Sequence, residues 1–166
     1  VVLDDLRKRA IKEYGLTWGP DPSTHNHCTL GGMLGNNSCG VHSIMAQFHG
    51  GGARTSDNVE ELEILTYDGL RLRVGATSDA ELAQIISAGG RRGEIYAGMK
   101  RLRDTYADLI RARYPNIPRR VSGYNLDDLL PEKGFNVARA LVGSECTLVT
   151  ILEAKLRLLK NPKVRS

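Results

Sequence analysis

The first apolar positions of the chain repeat with a helical period. Leu3, Leu6 and Ala10 fall on one face of a helix that extends to Tyr14, and charged residues occupy the opposite face. Gly15 follows directly, and glycine is the usual residue just after a helix end because it accepts a positive φ. The pattern therefore predicts a helix over residues 3–14.

A period of two replaces the helical period in the middle of the chain. Leu70, Leu72 and Val74 alternate with arginines, which is typical of a strand with one wet face. Residues 59–66 precede this strand, and Tyr67-Asp68-Gly69 between them has the composition of a turn. We predict a β-hairpin over residues 59–66 and 70–75.

Two further helices are predicted after the hairpin. Ser78 with Glu81 has the spacing of a capping box and predicts a helix that ends near Ser87, before Gly89-Gly90. A longer amphipathic helix is predicted from Arg92 to Tyr114, ended by prolines. Its apolar stripe, which we expect to lie in the core, consists of Ile95, Met99, Leu102, Tyr106, Leu109 and Ile110.

The remaining segments are less regular. Residues 31–36 are compatible with a short helix, residues 41–57 read as a loop, and residues 121–135 as a loop whose leucines cover the core. A last strand is predicted over residues 153–158, before a departure at Asn161-Pro162. Helices and strands interleave without regular βαβ spacing, so the predicted fold class is α+β, with an antiparallel or mixed sheet flanked by helices.

The segment from Trp18 to Gly40, here called the glycine segment, carries the most chemical information. Its glycines permit a close backbone approach to a ligand, and its short polar side chains offer donors and acceptors. No Asp, Glu, Lys or Arg occurs between Asp21 and Arg54. A neutral loop of this composition is suited to wrapping around a bulky ligand that is both polar and aromatic. A start of helix near Gly31 would also direct free N–H groups toward an anion.

Composition and charge restrict the function classes. The chain has 166 residues, 41% of them hydrophobic and 25% charged, with a net charge of +4, as in an ordinary globular domain. A small basic nucleic-acid binder is a minor alternative, but such a protein is expected to carry a denser basic stripe with interleaved aromatics, and we expect no nucleic-acid partner. Neither a Gly-x-Ser-x-Gly nor a Walker motif occurs, which disfavours hydrolases and NTP-cleaving enzymes.

Cysteine usage and hydropathy bear on location. Cys28, Cys39 and Cys146 are an odd number without a Cys-x-x-Cys pair, so a reducing cytoplasm is expected. No run of 18 apolar residues occurs and no signal peptide opens the chain, so we expect no membrane span. The opening Val1-Val2-Leu3, without an initiator Met, suggests a fragment of a longer protein.

Three ordered blocks of sequence resemble the FAD-linked oxidases and dehydrogenases, the family of vanillyl-alcohol-oxidase or glycolate-oxidase-subunit-D type. The first comprises Pro22-Ser23, Cys28 to Gly32 and Asn36 to Gly40. The second runs from Asp57 to Glu63 and continues in Tyr67-Asp68-Gly69, and the third is Ala140 to Leu148. The His-Asn-His-Cys-Thr-Leu-Gly-Gly-Met sequence is most similar to long members of the D-lactate or D-2-hydroxyglutarate dehydrogenase kind that also carry an iron–sulfur region.

The resemblance implies FAD as cofactor and a fold position. Residues 1–160 would be the second subdomain of the FAD-binding domain, and residues 161–166 the start of a linker to a substrate-binding cap. A pyrophosphate-loop subdomain would precede the chain. The cofactor-binding residues implied are Pro22, Ser23, Thr29, Gly31, Gly32, Asn36, Asn37, Gly40 and Val59.

The reaction implied for the parent protein is oxidation of a 2-hydroxy acid, such as D-lactate, glycolate or 2-hydroxyglutarate, by hydride transfer to the flavin. An iron–sulfur cluster elsewhere in the parent, and peripheral attachment of the parent to the inner membrane, are compatible with this resemblance. No residue of this chain is expected to be catalytic, and the isolated chain is expected to be inactive. The alternative is a non-catalytic folded module that holds no FAD alone and mediates interdomain or subunit contacts.

Other chemistry of the glycine segment and its surroundings remains open. Metal binding would draw on His25, His27, Cys28, Cys39, His42 and His49, but the spacing is not that of a zinc site, and we expect no metal. Cys39 is compatible with packing, with a reactive thiol or with a flavin attachment point. Cys146 stands where the family has glycine, so a positive φ there would strain the turn.

Overall fold

The α+β class predicted from the sequence is confirmed by the computed structural model, which describes residues 1–161 without the side chains of residues 45–47 and 49. The predicted departure at residues 161–166 lies, beyond Asn161, outside the described residues. The helices are α1 Leu3–Tyr14, α2 Leu30–Asn36, α3 Asp79–Ala88, α4 Gly90–Arg113 and α5 Val137–Leu141. The strands are β1 Leu16–Thr17, β2 Val59–Leu65, β3 Arg71–Val74, β4 Thr150–Leu156 and β5 Leu159–Lys160.

The strands form two antiparallel sheets. The larger has the order β3-β2-β4, and Leu62 on the central strand lies opposite both Val74 and Ala154. The smaller pairs β1 with β5, so that the end of α1 is held beside the last described strand. Short 3-10 segments at Val41–His49, Ser56–Asn58, Leu126–Leu129 and Pro131–Lys133 connect these elements.

Two apolar clusters form the core. The larger packs β2 and β3 against α3, α4 and α5, with Tyr96 and Phe135 as its largest side chains. The smaller surrounds Trp18, which Leu3 and Met33 enclose. Leu30 and Leu156 pack against both clusters. The glycine segment therefore lies over the junction of the two clusters, which fixes its backbone relative to the sheet.

Several predicted boundaries are confirmed. Gly15 caps α1 with a φ of 66° and its N–H bonds the carbonyls of Ala10 and Ile11. The hairpin turns at Gly69, whose φ is 85°. Ser78 caps α3 by accepting a hydrogen bond from the Glu81 amide, at 3.2 Å. Thr29 caps α2 in the same way.

The predicted buried stripe of the long helix is wrong in part. Leu102, Tyr106 and Leu109 are exposed, whereas Tyr96 and Ile110 are buried. The buried face of α4 also includes Gly93 and Arg103, whose guanidinium lies over the Phe135 ring at 5.2 Å. A glycine and an arginine do not count as apolar in a pattern, so the sequence placed the core stripe about 60–100° away from its position in the fold.

Two elements differ from the sequence prediction near the carboxyl end. The last long strand covers Thr150–Leu156, not residues 153–158, because the Arg157 amide turns to the carbonyl of Asn58. The helix α5 is not marked by a long periodic run, being only five residues long, and its Asn136 cap bonds the Arg139 amide. No helix within residues 1–161 combines the length and apolar character that crossing a bilayer requires.

Candidate cofactor site

One hydroxyl group joins the two ends of the loop between Asp21 and Gly40, here called the neck of the glycine segment. Ser43 Oγ accepts hydrogen bonds from the Asp21 amide at 2.8 Å and from the Gly40 amide at 2.6 Å. A Cβ at Gly40 would lie only 1.6 Å from the carbonyl oxygen of Asp21. Glycine at residue 40 is therefore required by a backbone-to-backbone approach inside the protein.

The acidic end of this neck is neutralised internally. Arg7 binds Asp21 at 2.7 Å and also donates to the carbonyl of Pro20. Burial raises the pKa of Asp21, but the hydrogen bond and charge of Arg7, with a smaller effect of His42, lower it below its ordinary value overall. Asp21 consequently stays ionised and paired with Arg7, and the loop beyond it carries no competing carboxylate.

Most backbone amides in the first turn of α2 are already hydrogen-bonded within the chain. Leu30 N–H donates to the carbonyl of Val1, Gly32 N–H to Thr29 Oγ1 at 3.1 Å, and Met33 N–H to the carbonyl of Thr29. The amide of Gly31 has no acceptor in the part of the chain that the structure describes. The start of α2 thus presents at most one free N–H donor, whereas the sequence predicted several free N–H groups there.

Gly31 and Gly35 have no internal reason to be glycine. Neither has a positive φ, and, apart from the adjacent residues and the backbone of α2 itself, a Cβ at either would meet no atom of the described residues within 4 Å. Glycine inside a helix costs about 1 kcal/mol relative to alanine. The outer face of α2 therefore lacks side chains at these two positions, which lowers the stability of the helix. This arrangement is expected where a ligand lies against the backbone.

Asn37 ends α2 and joins it to the following segment. Its φ is 50°, and its side-chain Oδ1 accepts from the Ser56 amide at 2.9 Å. A Cβ at Gly143 would lie 3.0 Å from Asn37 Cβ. The Nδ2 of Asn37 is buried and has no acceptor among the described residues. A buried donor without a partner costs about 1–3 kcal/mol, so an acceptor supplied by a bound group would be stabilising here.

The late segment, residues 140–148, is bonded to α2. Gly143 N–H donates to the carbonyl of Leu34 at 2.8 Å and Glu145 N–H to that of Gly35 at 3.0 Å. Cys146 has a φ of 60°, in the left-handed region, which strains the backbone of a cysteine. Tyr124 Oη and Thr147 Oγ1 are hydrogen-bonded at 2.8 Å, which fixes a third loop beside the late segment.

A cavity of about 450 Å³ opens where these segments meet. It is lined by Asn36, residues 121–124, residues 143–145 and Thr147. It therefore brings the predicted Asn36 together with the late segment, two blocks that are more than 100 residues apart in the chain. The sequence analysis did not predict that Val121–Tyr124 would line this cavity. The glycine in Ser122-Gly123-Tyr124 is the sequence feature that indicates a turn there, and its φ is 75° in the structure.

The predicted cofactor-binding residues divide into two groups. Ser23, Thr29, Gly31, Gly32 and Asn36 are exposed on the glycine segment. Pro22, Asn37, Gly40 and Val59 are buried. The backbone of Val59 is used within the chain, because its N–H bonds Ser56 and its carbonyl accepts from Arg139 Nε at 3.2 Å.

Two histidines, one in the glycine segment and one just after it, lie beside different carboxylates. His25 Nδ1 lies 2.8 Å from Asp4, and His42 Nδ1 lies 3.4 Å from Asp21. Among the described residues, three or more His, Cys, Asp or Glu side chains are nowhere arranged to hold a metal ion. The side chain of His49 lies outside the described residues. Cys39 is half-buried and accepts from Arg119 Nε at 3.4 Å.

A charged cluster supports the back of the site. Arg54 pairs with Asp57 at 2.7 Å and donates to the carbonyl of Arg120, which itself pairs with Asp127 at 2.5 Å. Burial, and then the charge of Asp127, raises the pKa of Asp128 to about 6, although Arg54 and Arg139 oppose this. Asp128 Oδ2 is buried without a hydrogen-bond partner in the described part of the chain.

The amino-terminal part of the chain is similar in sequence to a class of flavin-binding domains. Residues 1–75 match a family model described as the FAD binding domain, which spans the glycine segment and the β2–β3 hairpin.

The chain is also related to particular enzymes of known name. It is 36% identical over 160 residues to the D-2-hydroxyglutarate dehydrogenase of Pseudomonas putida, covering 96% of this chain and 15% of that relative. The D-2-hydroxyglutarate dehydrogenases of Haemophilus influenzae and Escherichia coli are each 30% identical, covering 99% of this chain and 16% of their own length. The chain thus spans about one sixth of the length of the curated relatives it matches.

Proposed function

We propose that this chain forms one side of the FAD site of a dehydrogenase that oxidises a 2-hydroxy acid, of the D-2-hydroxyglutarate kind, by hydride transfer to the flavin. When bound, FAD supplies the redox chemistry, and the protein supplies binding, orientation and electrostatics. An iron–sulfur region, implied for the parent protein by the resemblance, stays a prediction. The observation that carries the proposal is the pair Gly31 and Gly35, since no contact and no backbone angle within the described residues requires glycine at either position.

The proposed roles follow from exposure. Gly31, Gly32 and Gly35 let the cofactor lie against the backbone of α2, while Ser23, Thr29 and Asn36 offer exposed polar groups beside it. The buried Asn37 offers its unpartnered Nδ2 to an acceptor of the bound group. Pro22, Gly40 and Val59 act by holding the segment in shape, since Gly40 closes the neck and Val59 begins the strand that follows.

Opposite effects on stability and on FAD binding test this proposal. Gly31→Ala and Gly35→Ala should each stabilise the fold by about 0.5–1 kcal/mol, because alanine favours a helix. Each should weaken FAD binding by roughly tenfold or more, because a methyl group would stand between backbone and ligand. Flavin fluorescence titration measures FAD affinity and chemical denaturation measures the unfolding free energy, both on the full-length protein.

Gly98→Ala is the matched control. Gly98 is also a helical glycine, in α4, and, outside that helix's own backbone, a Cβ there would meet no atom of the described residues within 4 Å. This variant should gain the same stability and bind FAD like the wild type. If Gly31→Ala and Gly35→Ala both bind FAD as tightly as Gly98→Ala, the outer face of α2 is not a cofactor surface and the proposal fails.

A second function, that of a folded module that makes interdomain or subunit contacts, is favoured by one observation. Leu102, Tyr106 and Leu109 form an exposed apolar stripe along α4, and such stripes commonly mark contact surfaces. A protein that is colourless after purification and does not quench added FAD would favour this function over the first.

A further inference from the structure

A second concave surface lies beside the candidate cofactor site, at the end of α4. Its volume is about 420 Å³, within the range of pockets that hold small molecules. It shares Val121 and Ser122 with the cavity described above. Its lining consists of Arg113, Tyr114, Pro115, Ile117, Arg119, Arg120, Val121 and Ser122.

Three arginines are among the lining residues of this surface, and their pairing differs. Arg120 is buried, pairs with Asp127 and lies over the Tyr114 ring at 4.5 Å. Arg113 and Arg119 are exposed, and neither has a carboxylate partner in the described part of the chain. Two exposed guanidinium groups without a carboxylate partner among the described residues give the lining a positive charge, so an anion bound there would be stabilising.

The position of Arg119 is fixed from the glycine segment. Its Nε donates to Cys39 Sγ at 3.4 Å, which leaves the terminal nitrogens of the fork for another acceptor. Arg113 lies in the last turn of α4, where a cation also interacts favourably with the helix carbonyls. That interaction accounts for Arg113 but not for Arg119, which follows Pro118 outside the helix.

Hydrogen bonds to neighbouring segments fix the lining of the pocket, and part of that lining is apolar. Tyr114 Oη donates to the carbonyl of Tyr124 at 2.8 Å, and Arg54 donates to the carbonyl of Arg120 at 3.2 Å. Ile117 is 56% exposed and presents an apolar side chain next to the guanidinium groups. Planar, fork-shaped donors beside an aliphatic surface are suited to an oxyanion attached to a short hydrocarbon body.

We propose that this pocket, here called the arginine pocket, is a binding site for a small organic anion. Its carboxylate or phosphate group is held by Arg113 and Arg119, and its apolar body lies against Ile117 and Tyr114. This proposal rests on the arginines and Ile117, whereas the FAD proposal rests on Gly31 and Gly35, so their tests use different variants and either proposal can fail without the other.

Titration with glutarate and with sulfate at low ionic strength tests the two halves of the proposal. Glutarate carries carboxylates on a hydrocarbon body, whereas sulfate offers only the oxyanion. Calorimetry or amide chemical shifts of the wild type should show saturable glutarate binding and weaker sulfate binding. Arg119→Gln should weaken both by roughly tenfold, because a charge-assisted pair of hydrogen bonds is removed. Ile117→Asn should weaken glutarate and leave sulfate unchanged.

Arg101→Gln is the matched control, since Arg101 is an exposed arginine of α4 outside the arginine pocket. It should bind both anions like the wild type. Saturable binding that falls in Arg119→Gln and persists in Arg101→Gln establishes the site. Equal weakening by both substitutions would mean only a diffuse positive field, and no glutarate binding by the wild type, or sulfate binding as tight as that of glutarate, would overturn the proposal as stated.

Discussion

Asp128 is a buried acid whose ionisation opposes folding. The residue is 5% exposed, and burial raises the pKa of its carboxyl from the ordinary 3.8 to about 6. Because the folded state binds the proton more tightly than the unfolded state, this residue favours folding most below pH 3.8 and loses that contribution as the pH rises through about 6. The shift corresponds to at most about 3 kcal/mol.

Asp128→Asn should therefore raise the unfolding free energy at pH 8, and this gain should become smaller as the pH is lowered toward 4.5. We expect the difference in unfolding free energy between variant and wild type to fall by about 1–3 kcal/mol over that interval. Urea denaturation at several pH values measures it, and taking the difference cancels the carboxylates that both proteins share. A difference that does not change with pH would contradict the raised pKa.

Cys146 adopts a backbone conformation that suits glycine. Its φ of 60° costs an L-residue about 1–2 kcal/mol, whereas glycine there loses about 0.5–1 kcal/mol of unfolded-state entropy. Cys146→Gly should therefore raise the unfolding free energy by up to about 1 kcal/mol. Cys146→Ala removes the thiol but keeps the strain, so it should lie within about 0.5 kcal/mol of the wild type. Equal stabilisation by both variants would assign the gain to the thiol.

At the scale of elements, the crossing of α3 and α4 depends on one glycine. A Cβ at Gly93 would lie 3.0 Å from the carbonyl oxygen of Ile85 and 3.3 Å from that of Ile86. These oxygens belong to the backbone of α3, so they cannot move aside as a side chain can. The close approach brings the two helices together over the larger core cluster.

Gly93→Ala and Gly98→Ala should consequently have effects of opposite sign. Both replace a glycine of α4 and both gain helix propensity of up to about 1 kcal/mol. At residue 98 this gain remains, whereas at residue 93 the contact with α3 should exceed it and destabilise by about 1–3 kcal/mol. Thermal denaturation of the two variants checks this, and stabilisation by both would show that α3 yields without cost.

Local signals made most element boundaries predictable from sequence. The cap at Ser78, the stop at Gly15 and the hairpin turn before Leu70 act through neighbours a few residues away, so the sequence contains their cause. The α5 helix lacked such a signal, because five residues do not complete two turns. The end of β4 also depended on a distant partner, the carbonyl of Asn58.

At the scale of the whole molecule, the packing of α4 decided which of its faces is buried. Ile110 is 4% exposed and the adjacent Leu109 is 55% exposed, although the two have nearly the same hydrophobicity. Arg103 also lies on the buried face, with its guanidinium over the Phe135 ring. The neighbouring elements, which the helical pattern does not contain, selected this face.

Ile110→Ala and Leu109→Ala should separate the two faces. The first removes buried methyl and methylene groups and should cost about 2–4 kcal/mol of unfolding free energy, while the second should remain within about 0.5 kcal/mol. Chemical denaturation of each variant gives the comparison. Equal losses would mean that Leu109 is covered in solution, for example by a second copy of the chain, and the concentration dependence of the transition would then identify that contact.

The sequence by itself determined what acts over short distances: the periods of α1 and the hairpin, the caps, and a neutral, glycine-dense loop. The tertiary structure decided which glycines serve the fold, as Gly40 does beside Asp21, and which have an open face, as Gly31 and Gly35 do. It also placed the late segment against α2. The reason is that burial and close approach are properties of pairs of segments, and these segments meet only when the chain is folded.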